Sequence, residues 1–522
     1  MKSPLFVLLI IITRFVATAQ NSWTNFYNAT GNGNDEANAI VLDSSNNVFV
    51  TGWATELSSG HDYATIKYSS MGLPLWTNVY NGPSNSTDEA KAIAVDNNGD
   101  VIVTGYSIGS SGYYDYATIK YSSAGVPLWT SRFSELTNGN NFAQTIAVDG
   151  GRNAFVTGYS SSSSGVDYDY ATIMYSSAGV PLWTNRYNGP GNGNDYAQAI
   201  AVDSGSNAIV TGYSVGSLAA YEYATIKYSS AGVPLWTNIY SGSGNSLATA
   251  IALDTNDNVF VTGYSTGVGS GYDYATIKYN GQGLPLWTNR YNGTGNGADD
   301  AAAIAVDSSG NVIVAGVSFG VGGTFDYDYA TIKYSNVGLP LWTNRYNGPG
   351  SNRDFATKVA VDSNGNAFVT GYSTSVNGDY DYLTLGYSSM GMPLWTNRYT
   401  GPGNYADVAT AIAVDSGGGV LVTGYSTGSG GVYNYATIKY GATSANSPFF
   451  IITTDGRFGF TNGAFGFNYS APTSSNVVIQ ASTNLQIWWP LKTNPPGIGT
   501  SYFSDPQSST NNIRFYQAKL SP

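Results

Sequence analysis

The sequence contains no cysteine in 522 residues. That absence excludes disulfides, thiolate catalysis and cysteine-ligated metal sites, so stability must come from packing and closure. Histidine is almost missing too, with His61 alone. A three-histidine zinc site is thereby excluded. A Ser-His-Asp triad has one available base, which reads as a loop residue with no nucleophile elbow around it. Charge is sparse, at 10% of residues, against roughly 25% in an average soluble domain. No 3.6-residue hydrophobic period persists over the ten or so residues that a helix needs.

Glycine (64) and tyrosine (42) fill the gap, with many Asn, Ser and Thr. A surface kept wet by hydroxyls and amides suits a secreted all-β protein. The N-terminus agrees: Lys2 precedes the apolar run Pro4–Ile12, and Ala17-Thr18-Ala19 before Gln20 is an A-x-A cleavage pattern. That run is well short of the roughly 20 residues needed to span a bilayer. Residues 1–19 are therefore expected to be a signal peptide, leaving no transmembrane segment after cleavage and a secreted, periplasmic or outer cell-surface location. Losing Lys2 and Arg14 leaves 19 basic against 33 acidic residues, a net charge of −14 in place of −12. Nucleic acid, which demands a basic face, is not an expected partner.

The chain repeats itself. The tryptophan of a recurring "WTN"-like phrase falls at Trp23, Trp76, Trp129, Trp183, Trp236, Trp287, Trp342 and Trp395. Successive gaps are 53, 53, 54, 53, 51, 55 and 53 residues. Within residues 183–236, "WTNRY" reads as a short strand, followed by a Gly/Asn/Pro loop. "AQAIAVD", "AIVTGYS" and "YEYATIKY" are three further strands separated by turns. Four strands per unit, eight units and no helix predict an eight-bladed β-propeller, with a solenoid as the alternative.

The ends of the array decide between the two. It opens on an orphan fourth strand, "SWTNFY", and closes at Tyr440 one fourth strand short. A ring uses both, with the N-terminal strand completing blade eight, and removes the open edges that a solenoid would have to cap. A monomer is expected.

The units resemble the SBBP β-propeller repeat of exported bacterial proteins over about residues 22–440. The resemblance is carried by "DYATIKYSSAGVPLWT" (115–130) and by "AIAVDSSGNVIVAG" ending at Gly316. It implies a fold and an extracytoplasmic setting, not a reaction.

Residues filled alike in every blade serve the blade. Asp43, Asp96, Asp149, Asp203, Asp254, Asp307, Asp362 and Asp415 end the first strand and are expected to accept backbone N–H bonds across its turn. Two such turns, "DNNGD" (96–100) and "DTNDN" (254–258), are loosely similar to calcium loops but lack the distal bidentate Glu. The Trp of "LWT" and the Tyr of "TIKY" are expected to pack between blades, with the third-strand lysines lying on those aromatics. "TGY" places Trp53, Tyr106, Tyr159, Tyr213, Tyr264, Tyr372 and Tyr425 near a Ser/Gly/Asn-rich rim, with Val317 as the exception. Their expected role is packing, with sugar stacking as the functional reading.

The candidate ligand-binding residues come from one class and one deviation. Before the inner strands stand Asp35, Asp88, Asp195, Asp299, Asp354 and Asp407, with Asn141 and Ser246 in the two other blades. If inner strands line a channel, six carboxylates ring its mouth and Ca²⁺ is the cofactor left open, though none is required. The competing reading makes them caps of the inter-blade loops, paired with Arg186, Arg290, Arg345 or Arg398. Lys358 replaces the Ala or Thr found there in the seven other blades, so a partner such as Asp354 is expected.

After a linker at 441–448, residues 449–522 read as a small β-sandwich-like domain. The pattern "VIQASTNLQIWWPL…FSDP…RFYQA" (478–518) is similar to a C-terminal β-domain of exported bacterial proteins. Trp488 and Trp489 face opposite ways if that stretch is a strand. The combined expectation is an all-β chain with a propeller over 20–440. It serves as a non-enzymatic scaffold offering its loop face to a protein or polysaccharide. The alternative is an extracellular carbohydrate-active hydrolase or lyase using channel-mouth carboxylates.

Overall fold

The computed structural model describes residues 21–57, 59–135, 138–161, 167–321, 326–350, 352–403, 405–441, 450–452, 459–461, 464–470, 476–482, 489–494, 500–507 and 515–521. The expected signal peptide, nearly all of the expected linker, Trp488 and much of the C-terminal stretch lie outside the described residues. The chain divides into two compact units, one of residues 19–441 and one that contains residues 442–522. No α-helix occurs among the described residues, and none is long and apolar enough to cross a membrane.

The first unit is a ring of eight four-stranded antiparallel sheets. The inner strands of blades 1 to 8 are Glu36–Leu42, Asp88–Val95, Asn141–Val148, Tyr196–Val202, Ser246–Leu253, Asp299–Val306, Asp354–Val361 and Asp407–Val414. Blade 2 continues through a second strand (Val101–Ile108), a third (Tyr114–Tyr121) and an outer one (Pro127–Phe133), and the other blades follow the same plan. The second and third strands are buried almost throughout, which is why they read as continuous apolar and Thr-rich runs. Buried threonines pair across them, as Thr104 and Thr118 do at 2.9 Å.

Ring closure uses the N-terminal strand. Asn21–Tyr27 pairs antiparallel with Tyr433–Tyr440 and becomes the outer strand of blade 8. The joint between blades 8 and 1 repeats every other joint. Tyr435 donates to the Ala64 carbonyl at 3.2 Å, as Tyr63 does to Ala117 at 3.1 Å. Trp23 is half-buried, 6.0 Å from the Tyr68 ring. Each later blade repeats this pair, for instance Trp76 with Tyr121 at 6.0 Å. The turn glycine beneath that tryptophan is obligatory. Gly125 has φ +84°, and a Cβ there would sit 2.8 Å from Trp76 Cγ.

The Asp at the end of the inner strand caps its turn in each blade and pairs with a lysine in six of them. Asp96 accepts the backbone N–H groups of Asn98 (2.9 Å) and Asp100 (3.1 Å), and pairs with buried Lys120 at 2.7 Å. Lys67, Lys227, Lys278, Lys333 and Lys439 meet Asp43, Asp203, Asp254, Asp307 and Asp415 in the same way, within 2.7–3.7 Å. Lys67 and Lys278 also lie 4.7 Å from the Phe49 and Phe260 rings. The lysines therefore answer the turn acids as well as the aromatics. Among the described residues no group of three His, Asp or Glu side chains is placed to hold a metal ion.

In the second unit, Phe450–Ile452, Gly459–Thr461, Ala464–Ser470 and Thr500–Asp505 form one antiparallel sheet. Asn476–Ser482, Trp489–Asn494 and Phe515–Ser521 form another. Phe465, Phe467, Tyr469 and Phe503 from the first share a core with Ile479, Ala481 and Tyr516 from the second. Trp489 is 36% exposed.

Candidate functional site

The inner strands face one another around a central channel. A bulge near the start of each inner strand frees one side chain, which in blades 1, 5, 7 and 8 reaches the next blade. Asn38 donates to the Ala90 carbonyl at 2.7 Å, Thr249 to Ala301 at 2.7 Å and Thr410 to Ala37 at 2.6 Å, so the inner strands are laced together. The next position is Ala or Thr in seven blades and Lys358 in blade 7. Lys358 is exposed to solvent although protein surrounds it on the inner side of the ring. Burial pushes its pKa down. It makes no ion pair with Asp354, whose carboxylate is buried elsewhere.

The six aspartates expected at the mouth are not a solvated ring. Asp35, Asp88, Asp195, Asp299, Asp354 and Asp407 are each 0% exposed. Every one closes its own inter-blade loop. Asp299 accepts Gly293 N–H at 2.7 Å, Phe319 N–H at 3.0 Å and Ser318 Oγ–H at 2.5 Å. Asp195 and Asp407 repeat this with Gly189 and Val215, and with Gly401 and Thr427. This is the loop-cap arrangement, and it arises because an Asp six residues after a tight loop entry can reach back to that entry's N–H. The arginines pair with a different acid. Arg186, Arg290, Arg345 and Arg398 bind third-strand Asp169, Asp273, Asp328 and Asp381 at 2.7–2.8 Å. Arg345 reaches Asp299 only through Ser318.

The residue immediately after each cap is what lies at the mouth. It is Glu36, Glu89, Phe142, Tyr196, Leu247, Asp300, Phe355 and Val408 around the ring, each half-buried. It stands across the sheet from the "TGY" aromatic of its own blade, as Glu89 does from Tyr106. In blades 3 and 4 it also packs against two rings of the preceding blade. Phe142 touches Tyr106 and Tyr114, with centroids 5.1 Å away in both cases. Tyr196 touches Tyr159 at 4.8 Å and Tyr168 at 6.0 Å. The result is an aromatic collar, continuous from Tyr106 through Phe142, Tyr159, Tyr168, Tyr196 and Tyr213 to Tyr221. Packing and partial exposure coexist here, so the two readings of these tyrosines are not alternatives.

Three niches carry acids where others carry rings. Between blades 1 and 2, Glu89 accepts the Tyr106 hydroxyl at 2.5 Å and pairs with Lys91 at 2.8 Å, and Lys91 Nζ lies 5.1 Å from the Tyr106 ring. His61 Nδ1 is 3.8 Å from Glu89, and its ring stacks on Trp53 at 3.9 Å. His61 belongs to the third strand of blade 1, Gly60–Tyr68, and not to a loop, because Gly60 with φ +84° turns the chain tightly before it. Burial raises Glu89, yet Lys91, Tyr106 and His61 outweigh it and hold the carboxyl below its ordinary range. Burial holds Glu36 above that range, with Lys91 and Glu89 pulling in opposite directions. Between blades 5 and 6, burial and then Asp299 push Asp300 up to about 6.

A family model described as the SBBP beta-propeller repeat matches residues 342–379, from the outer strand of blade 6 into the second hairpin of blade 7. Over that stretch the chain is similar to the SBBP β-propeller repeat. No curated protein matches it. Among solved structures, a eukaryotic initiation factor is similar at 9% identity and TM-score 0.39, covering 70% of this chain and 88% of its own. The β-propeller domain of the Trilobed protease from Pyrococcus furiosus, described as having an open velcro topology, is similar at 7% identity and TM-score 0.40. It covers 69% of this chain and 96% of its own. A putative gluconolactonase follows at 12% identity and TM-score 0.28, covering 52% and 83%. At these scores none of them bears on what this propeller does.

Proposed function

We propose that this SBBP-repeat propeller is an extracytoplasmic binding protein that holds a protein or glycan at the collar around its channel mouth. The observation that carries this reading is the collar itself. Its rings are half-exposed, all but Phe142 carry hydroxyls, and they are set on inner, second and third strands rather than on loops. Such rings offer large rigid contact area at low entropic cost, suited to sugar faces and to apolar or cationic side chains. The position that varies most from blade to blade is also the one at the mouth, as expected where a repeat reads a ligand rather than supports itself.

The test is a glycan array and a peptide array probed with residues 20–522 and with the triple variant Tyr159→Leu, Tyr213→Leu and Tyr372→Leu. Binding on either array that the variant loses while remaining folded supports the reading. No binding on both arrays, or binding that the variant retains, overturns it.

One observation favours a second reading, a carbohydrate-active enzyme. Glu36 and Glu89 lie near one another with their protonation pushed apart, which is the pattern of an acid and a base. Release of reducing ends from a polysaccharide, abolished by Glu89→Gln, would establish it.

A further inference from the structure

Blade 2 contains, within the chain itself, an example of what the acidic niches hold. A carboxylate at the variable position, Glu89, is met by the ammonium of Lys91, and that ammonium rests over a tyrosine ring. Lys91 reaches this place because it occupies the bulge of the inner strand.

Blade 6 has the acid without its partners. Asp300 stands at the Glu89 position, but the bulge residue is Ala302, and the residue across the sheet is Val317 instead of a tyrosine. Asp300 Oδ1 is buried and accepts no hydrogen bond. The rings come from the preceding blade: Tyr264 and Tyr272 lie 4.9 Å apart, in the register at which Tyr106 and Tyr114 flank Phe142 in blade 3. A carboxylate is far smaller than the phenyl ring that fills that blade-3 niche, and Val317 is smaller than the tyrosine it replaces. The niche therefore keeps room, and its three polar or aromatic members are half-exposed.

We propose that the niche formed by Tyr264, Tyr272 and Asp300 binds a basic side chain, the ammonium of lysine or guanidinium of arginine on a partner protein. This rests on the reading of the collar as a ligand-binding surface and specifies its chemistry at one point. An unpaired, partly desolvated carboxylate between π faces attracts a cation twice, by charge and by ring quadrupole. The chain's net charge of −12 adds a long-range field of the same sign. The groups facing Asp300 are Asp299 on its own strand and Tyr264 and Tyr274 of blade 5, none of them cationic.

The test is fluorescence anisotropy with a fluorescein-labelled hexalysine peptide at pH 7.5 and physiological salt. Asp300→Asn should weaken binding about tenfold. Ala302→Lys, which plants the Lys91 equivalent and leaves Asp300 in place, should compete equally well and raise the melting temperature. Asp379→Asn removes the same charge from a loop of blade 7 and controls for the general field; it should change affinity less than about twofold. Equal affinity of Asp300→Asn and Asp379→Asn overturns the proposal. If the collar triple variant loses its array ligands while Asp300→Asn binds hexalysine normally, the niche fails and the collar reading stands. If the triple variant keeps those ligands, the collar reading fails with it.

Discussion

At its turn end, the inner strand of every blade finishes on an Asp that closes a tight turn, and in six blades that Asp also pairs with a third-strand lysine, buried in five of them. At its loop end, a cap residue is followed by Glu, Glu, Phe, Tyr, Leu, Asp, Phe and Val in blades 1 to 8. The strands are the same; the demands differ. The turn end must fit between two neighbours that are themselves copies, so a change there has to be matched around the ring. The loop-end residue faces the channel mouth, where a carboxylate, a ring or a methyl group can stand without disturbing the ladder behind it. Sameness marks architecture, and variation at a fixed register marks the surface free to meet a ligand.

The most severe way to break this comparison is to remove the ring that supports both ends. Deleting Asn21–Tyr27 takes away the outer strand of blade 8, its ladder with Tyr433–Tyr440 and the Trp23 packing. The ladder bonds contribute roughly 0.5–1.5 kcal/mol each. With the apolar burial at about 25 cal/mol per Å², the loss is on the order of 5–10 kcal/mol, comparable to the whole stability of an ordinary domain. The truncated chain should lose its single cooperative transition in differential scanning calorimetry. An unchanged melting temperature would mean that the ring is not held by this strand.

A sharper cut separates the two partners at the turn end. Asp96→Ala removes the closer of the two carboxylates that meet the Lys120 ammonium, which is 2% exposed, leaving Asp100 at 3.7 Å, and deprives the turn of its acceptor. Removing one partner of a buried pair costs about 3–5 kcal/mol. Lys120→Met should cost much less, because blade 3 already carries Met174 there and blade 7 carries Gly386, both with the turn Asp intact. Urea unfolding of the two variants should therefore differ by several-fold in the stability lost. Equal losses would make the lysine, not the turn, the structural element.

These turn-end features were legible in the sequence because they recur. Seven copies of a "DYATIKY…PLWT" pattern, an eighth that stops at Tyr440 and an orphan fourth strand at the start specify blade, count and closure without any three-dimensional knowledge. The mouth was legible only in part. Asp35 and its equivalents drew notice because they also recur, yet recurrence is what buried caps share with turn acids. Glu89 and Asp300 stand one residue further on and differ from blade to blade, so no repeat-based reading picks them out. Their meaning depends on which rings of the preceding blade they meet, and that is set by blade packing. His61 was misplaced for a similar reason: in sequence the segment before it looks like the other Ser/Gly loops, and only the backbone turn at Gly60 brings it into the strand.

The loop end should answer to pH where the turn end does not. Burial raises Asp300 to about 6 from an ordinary value of about 3.9. Its folded form therefore holds a proton more tightly than the unfolded chain does. The stability this contributes is fully present below about pH 4 and is lost as pH rises through about 6. Asp300→Asn should flatten that fall in melting temperature between pH 4 and 6.5, and a bound cation should do the same by favouring the ionised form. Asp203, Asp254 and Asp307 oppose the trend. Burial raises them, but hydrogen bonds to Asn207, Asn258 and Asn311 and the lysine partners hold them below their ordinary range. Their contribution is present above the ordinary carboxylate range and is lost only as pH falls further, so the two windows separate. If Asp300→Asn leaves the pH 4 to 6.5 slope unchanged, the niche is already compensated.

The smallest effect is expected at Lys358, which belongs to neither end. It sits one residue past the bulge, where Ala39, Ala92, Ala199, Ala250, Ala303 and Ala411 place a small neutral side chain. The surrounding protein pushes its ammonium pKa down, so the fold favours the neutral amine. Stability from this group is accordingly withheld at neutral pH and recovered as pH rises toward the ordinary lysine range of about 10.4. The side chain is nevertheless exposed to channel water, which screens most of the penalty. Lys358→Ala copies six sibling blades and should raise the melting temperature by no more than about 2 °C at pH 7. It should also remove the gain seen on going to pH 10. A clear loss of stability in Lys358→Ala would instead mean that the ammonium is held by a counter-charge in the bore, and that blade 7 is specialised at a depth where the other blades are alike.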